Sequence, residues 1–228
     1  MRPIFYKKLK IFSLIFLVCF SFCLFPFLTA CKKTIDYFSY VSELRNNIFL
    51  AESDNFSLRI YSVQKESPYI ADGIPQECAA RTELYLLAPT NNEPYALYFE
   101  IGEKEYGGEL SYDNVKSEYY LFLPLDVAEQ NSLSCRLEYN TESLILEAKS
   151  VLCGEEIPPK GLLKTLQTEN ADLFSSMTDK YGFKGEIYFR LIYEGNPYYY
   201  IGIINRNGEI TAFLINAKTG KILARRNS

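Results

Sequence analysis

The sequence predicts a mainly β, α+β protein: an antiparallel β-sandwich over residues 41–153, followed by a small helix-plus-antiparallel-sheet domain over 154–228. Three observations carry that expectation. Apolar-alternating runs separated by turn residues recur about every 8 to 12 positions from Val41 to Val151, the spacing of sandwich strands. A single helical period follows Pro158-Pro159. Asn-Gly and Thr-Gly turns then mark hairpins near the C-terminus, where glycine and asparagine accept positive φ.

Taken in order, the runs at 56–63, 82–87, 95–101, 105–112, 119–123, 133–139 and 143–151 read as strands. Ala71-Asp72-Gly73, Pro89-Thr90-Asn91-Asn92, Gly107-Gly108 and Asn140-Thr141 supply the turns between them. Alternation along these runs implies sheets with one wet face each. At Cys153-Gly154-Glu155-Glu156-Ile157-Pro158-Pro159 the character changes to a linker and a helix start, with acids near the positive end of the helix dipole. Leu162, Leu163, Leu166, Leu173, Phe174 and Met177 then fall on one helical face, with a stop at Tyr181-Gly182 and a break near Glu169 where Asn170 interrupts the stripe. Strands at 186–193, 198–204, 210–216 and 222–225 complete the chain. In the second of these, Tyr199, Ile201 and Ile203 face one way and Tyr198 and Tyr200 the other.

The first thirty residues have a different logic. Arg2, Lys7, Lys8 and Lys10 precede an apolar run from Ile11 to Leu28 that is broken only by Ser13, Ser21 and Pro26, the pattern of a secretory signal. Leu28-Thr29-Ala30-Cys31 resembles the bacterial lipobox, in which small residues precede a cysteine that is diacylated and becomes the new first residue. That resemblance implies a signal peptide over 1–30, lipid on Cys31 and a tether over 31–40, with Ile35, Tyr37 and Phe38 available to pack on the first domain. Two acyl chains anchor stably where one does not. The alternative is an uncleaved signal anchor, because eighteen mostly apolar residues just cross a bilayer core of about 30 Å. Either way, everything after residue 31 is expected on the extracytoplasmic side of the cell membrane.

Composition excludes some classes of function. There are 19 Tyr and 16 Phe but no His and no Trp, so no imidazole serves as base, proton shuttle or metal ligand. The 24 basic and 28 acidic residues give a net charge of −4, and removal of residues 1–30 leaves 20 basic residues and a net charge of −8. An acidic body disfavours nucleic acid. Of six cysteines, Cys78, Cys135 and Cys153 remain in the body; a Cys135–Cys153 bridge and three free thiols are both open readings. No metal site or cofactor is expected.

Motifs that promise chemistry are better explained by structure. Ser62-Val-Gln-Lys65 has the spacing of a lysine-assisted serine, but these residues end a strand, not start a helix. Asn205-Arg-Asn207-Gly208 reads as a hairpin and not as a calcium loop. Glu155-Glu156 are too close along the chain to flank a scissile glycosidic bond. No catalytic residue is assigned. Tyr188, Tyr193, Tyr198, Tyr199 and Tyr200 form the candidate recognition surface, since tyrosine combines contact area with a polar tip.

The segment from Ile210 through Asn216-Ala-Lys-Thr-Gly-Lys221 to Ala224 resembles the closing hairpin of PepSY-type domains, with the preceding helix and the 198–204 strand in the matching order. The resemblance covers about the last 70 residues and implies an extracytoplasmic module that inhibits or regulates secreted peptidases, with no catalytic residue carried over. The expected function is that of a membrane-tethered, non-catalytic lipoprotein binding a protein or peptide. PepSY-like inhibition of a peptidase and a hydrolase built on carboxylates brought together by folding are the alternatives.

Overall fold

The structure is a computed structural model whose described residues are 35–67, 76–90 and 94–227. Cys31, the signal-like segment and the turns at 71–73 and 91–92 lie outside the described residues. The chain divides into Met1–Ile35 and a compact unit of Asp36–Ser228, to which every element below belongs.

Among the described residues the protein is mainly β, as the alternation predicts, with two short α-helices. Nine strands precede the helices: β1 (Val41–Ser53), β2 (Phe56–Glu66), β3 (Cys78–Leu87), β4 (Ala96–Ile101), β5 (Lys104–Glu109), β6 (Ser111–Asp113), β7 (Glu118–Leu123), β8 (Ser132–Tyr139) and β9 (Glu142–Ser150). They pair antiparallel along two arms that leave β1, one running β1-β2-β3-β7-β6 and the other β1-β9-β8-β4-β5. Because β5 passes into β6 through Leu110 alone, the 105–112 run is one bent strand that joins the tips of the two arms. The sheet thereby nearly closes on itself. Leu110 N–H donates to Tyr95 O at 2.7 Å at the bend. Gly107 lets β5 lie close on β4: a Cβ there would sit 2.0 Å from the Leu97 carbonyl oxygen, and its φ is +147°.

Inside the curved sheet, alternate residues make one core. Phe49, Leu58, Ile60, Leu84, Leu97, Phe99 and Leu137 are each at most 2% exposed. Side chains of this kind contribute roughly 1.5–3 kcal/mol each by leaving water. Cys135 lies in this core with no exposure, and Cys153 is exposed, so the three body cysteines are free thiols and the Cys135–Cys153 bridge does not form.

After the linker come α1 (Pro159–Glu169), α2 (Ala171–Ser176), a small hairpin of β10 (Thr178–Asp179) and β11 (Gly182–Phe183), and then β12 (Gly185–Tyr193), β13 (Pro197–Asn205), β14 (Ile210–Asn216) and β15 (Ile222–Asn227). The expected helix ends earlier than the periodicity suggests. Asn170 leaves helical geometry (φ −126°, ψ 40°) and its amide donates to Leu166 O, which closes α1 as the interrupted stripe predicts. Residues 178–183 turn back as the short hairpin in place of the last helical turn. Glu155 and Glu156 are not at the helix start. Glu156 accepts from the Cys153 and Gly154 amides, and Glu155 pairs with Lys218, so both hold the linker loop.

Two features lie outside what the periodicities imply. The longest strand, β1, is not singled out by alternation, because its burial pattern breaks at a bulge between Arg45 and Asn47. On one edge β1 pairs with β2 throughout. Its other edge forks: residues 41–45 pair with β12, whereas Phe49 and Leu50 pair with β9. The β1–β12 pairing is parallel, and it makes the strands on both sides of residue 153 parts of one thirteen-stranded sheet. The tether residues also pack elsewhere than expected. Residues Tyr37–Tyr40 form a 3-10 helix whose Tyr37 meets Phe174 of α2 and Phe183 (centroids 4.9 and 5.2 Å) and whose Phe38 meets Phe189, all of them after residue 153. Among the described residues no helix is long and apolar enough to cross a membrane.

Candidate binding surface

The registers place one continuous sheet face outside the core, running from β13 through β12, β1, β2 and β3 to β7. Glu43 lies opposite both Tyr188 and Lys65; Arg45 lies opposite both Arg190 and Val63; Val63 in turn faces Arg81. Further along the strands Tyr61 faces Glu83, Glu83 faces Phe122, and Arg59 faces Tyr85, which faces Tyr120. Period-two alternation explains the composition: Leu58, Ile60, Leu84 and Leu86 point inward, and the residues between them are left for this outer face.

The five tyrosines expected to form a surface divide between faces. Tyr199 is 2% exposed on the core side, edge-on to Phe189. Tyr193 has the same parity but is exposed at the strand end. Tyr188, Tyr198 and Tyr200 share the outer face. Tyr188 and Tyr200 rings lie 5.9 Å apart, and Tyr188 is flat against Gly202, where a Cβ would fall 2.0 Å from its ring. Burial, then hydrogen bonding to Tyr200, pushes the Tyr188 hydroxyl up to about 12. Burial does the same for Tyr199, with Glu156 adding to it.

Alternation of aromatic and charged residues in 59–65 and 81–85 is the signal for a second aromatic group that the tyrosine run overshadows. Tyr61, Tyr85, Phe122 and Tyr120 pack ring to ring at centroid distances of 5.6, 6.0 and 5.1 Å. Phe122 is 39% exposed. Cations cover the rings: Arg45 lies 4.1 Å from the Tyr61 centroid, Arg81 3.9 Å from Phe122 and Lys116 5.4 Å from Tyr85. Arg190 stands 4.7 Å from Tyr188. Such stacks are worth about 0.5–2 kcal/mol each, more as the cation is desolvated.

At the β1–β12 junction the face deepens into a cleft of about 320 Å³ lined by Ser42, Glu43, Lys65, Glu186, Tyr188 and Arg190, with Ile204 and Ile210 as its apolar wall. Arg190 grips Glu43 with two bonds, Nε to Oε1 at 2.6 Å and Nη2 to Oε2 at 2.9 Å, and Lys65 lies 3.5 Å from the same carboxylate. Burial works to raise the Glu43 pKa, but hydrogen bonds and charge from Arg190, backed by Lys65 and Arg45, overcome it and hold the carboxyl below its usual range. Ser42, buried, donates to Glu186 at 2.5 Å. Ser62 and Lys65 point to opposite faces of β2. Ser62 donates to Asp126 at 2.8 Å, Lys65 belongs to the cleft, and the pair makes no common site. The Asn205–Gly208 segment is a hairpin turn whose Asn205 carboxamide oxygen accepts from the Asn207 and Glu209 amides. Among the described residues no group of three His, Cys, Asp or Glu side chains is placed to hold a metal ion. Compared with family models, curated proteins and solved structures, the chain matches none.

Proposed function

We propose that this chain is a lipid-tethered, extracytoplasmic binding module that holds a protein or peptide partner and performs no chemistry itself. The observation that carries the reading is the outer sheet face, on which half-exposed Tyr61, Tyr85, Tyr120 and Phe122 are interleaved with stacked guanidinium groups. Aromatic and arginine side chains dominate the energetics of protein interfaces, and here they are displayed on rigid strands. The state of the cleft supports a non-catalytic role. Glu43 is ionised and engaged on both oxygens, so it is a poor proton donor near neutrality. The tether rests on residues 28–31, and intact mass of membrane-extracted protein tests it by showing whether residues 1–30 are lost and lipid is gained.

The binding reading is tested by screening an array of extended peptides against the full-length chain in nonionic detergent. Peptides are expected to bind, and Tyr61→Ala with Phe122→Ala is expected to abolish that binding while the β-rich circular dichroism spectrum is kept. An array on which nothing binds, or binding indifferent to both substitutions, overturns the proposal.

A further inference from the structure

The registers bring three arginines into one row across four strands: Arg190 on β12, Arg45 on β1 and Arg81 on β3, with Val63 of β2 between the last two. Arg190 and Arg45 are directly opposite each other. Like charges in that position repel across a sheet, and of the two only Arg190 has a carboxylate partner, Glu43. In this row and the two flanking it, the cations are Arg190, Arg45, Arg81 and Lys65, and the carboxylates are Glu43 and Glu83. Both carboxylates are engaged, Glu43 by Arg190 and Lys65 and Glu83 by Arg81. Arg45 takes part in none of the ion pairs among the described residues; its guanidinium rests on Tyr61, and its Nε has no hydrogen-bond partner there. The face is thus locally cationic on a chain whose net charge is −4.

We infer that the occupant of this face is an acidic, extended polypeptide segment, whose carboxylates meet the arginine row while neighbouring side chains lie on the rings. This deepens the proposed function and rests on it. Charge complementarity selects the acid, because planar guanidinium groups bind carboxylates through paired N–H donors and Arg45, whose buried Nε has no partner, is held by no carboxylate in the ion pairs among the described residues. The ring spacing suits an extended chain: steps of 5.6 and 6.0 Å from Tyr61 to Tyr85 to Phe122 approach the roughly 6.6 Å repeat of side chains on one side of a strand.

The experiment uses full-length protein in nonionic detergent and fluorescence anisotropy with three labelled decapeptides: alternating Glu-Tyr, alternating Lys-Tyr and alternating Ser-Tyr. The Glu-Tyr peptide is expected to bind at least tenfold more tightly than Ser-Tyr, to weaken about tenfold between 50 and 300 mM salt, and to lose at least fivefold on Arg45→Gln. Lys164→Gln, on the exposed side of α1, leaves binding unchanged. Arg45→Gln is expected to keep the β-rich circular dichroism spectrum, relief of like-charge repulsion against Arg190 offsetting part of the lost stack on Tyr61, while Arg45→Lys, which keeps the charge, is expected to recover part of the Glu-Tyr binding and its salt dependence. Equal binding of Glu-Tyr and Ser-Tyr, or no loss on Arg45→Gln, overturns the inference and leaves the binding reading standing. Failure of all three peptides overturns the inference and counts against the binding reading as well.

Discussion

The Glu43–Arg190 pair clamps the parallel β1–β12 seam, and breaking it gives a quantitative test of whether the two ends of the chain fold as one unit. Glu43→Gln removes the charge and keeps the shape. Its carboxylate is 12% exposed and Arg190 is 43% exposed. Losing one member of a fully buried pair costs about 3–5 kcal/mol, whereas exposed pairs are worth about 0–1 kcal/mol. With one partner buried, the other half in water and two short charge-assisted bonds lost, a cost of about 2 kcal/mol follows. For a unit of this size that lowers Tm by roughly 4–8 °C. Urea unfolding followed by circular dichroism at 222 nm and by tyrosine fluorescence should show one transition by both probes, shifted to lower urea with an unchanged slope. Because folding lowers the Glu43 pKa, the contribution of the pair is fully present above the ordinary value of 4.5 and is lost as pH falls through the lower folded value. The difference between parent and Glu43→Gln should therefore shrink on acidification below pH 4.5. Paired with Arg190→Gln in a double-mutant cycle, the coupling should be about 1–2 kcal/mol. A cost below about 0.5 kcal/mol, or two separated transitions, would refute the idea that this pair and its seam join the chain into one cooperative sheet.

Gly107→Ala should cost roughly 2–4 kcal/mol in the same assay, because the new Cβ meets the backbone oxygen of Leu97 at positive φ and nothing flexible can yield; a change under 1 kcal/mol would contradict the close β4–β5 approach. Ser62→Ala should cost only about 1 kcal/mol, since Asp126 keeps the Ala128 amide as a partner, and it should leave peptide binding intact. Alkylation mapped by peptide mass should be fast at exposed Cys153 and absent in the native state at Cys135, whose thiol burial pushes up to about 12; equal labelling would place Cys135 outside the core. Spectrophotometric titration should find Tyr188 and Tyr199 ionising near pH 12, well after ordinary tyrosines, and two fully normal titrations would remove the packing assigned to them.

Local chemistry made several elements legible. Asn170 marks the helix break in the sequence, and the Asn205–Gly208 hairpin follows from its turn residues. Period two separates Tyr199, Ile201 and Ile203 from Tyr198 and Tyr200 without saying which set is buried, so the sequence reading puts Tyr199 on the surface although it lies in the core. Parity is a property of one strand, whereas the choice of the buried face depends on what the sheet packs against. What the alternation could not give was β1. A bulge resets its parity, and its two halves face different neighbours, so no single period runs through it. The arginine row was equally hidden: Arg45, Arg81 and Arg190 are remote in sequence, and only the register of four strands lines them up.

The amino-acid sequence by itself determined the β-rich class, the hairpin turns between the last four strands and the helical stripe with its break, because each depends on residues within a few positions of one another. The tertiary structure decided that β1 serves both halves of the sheet, that the bent β5–β6 strand draws the ring nearly shut, and that aromatic rings and guanidinium groups share one face. Strand partners are chosen by burial and hydrogen bonding between distant segments, and that choice has no local signature.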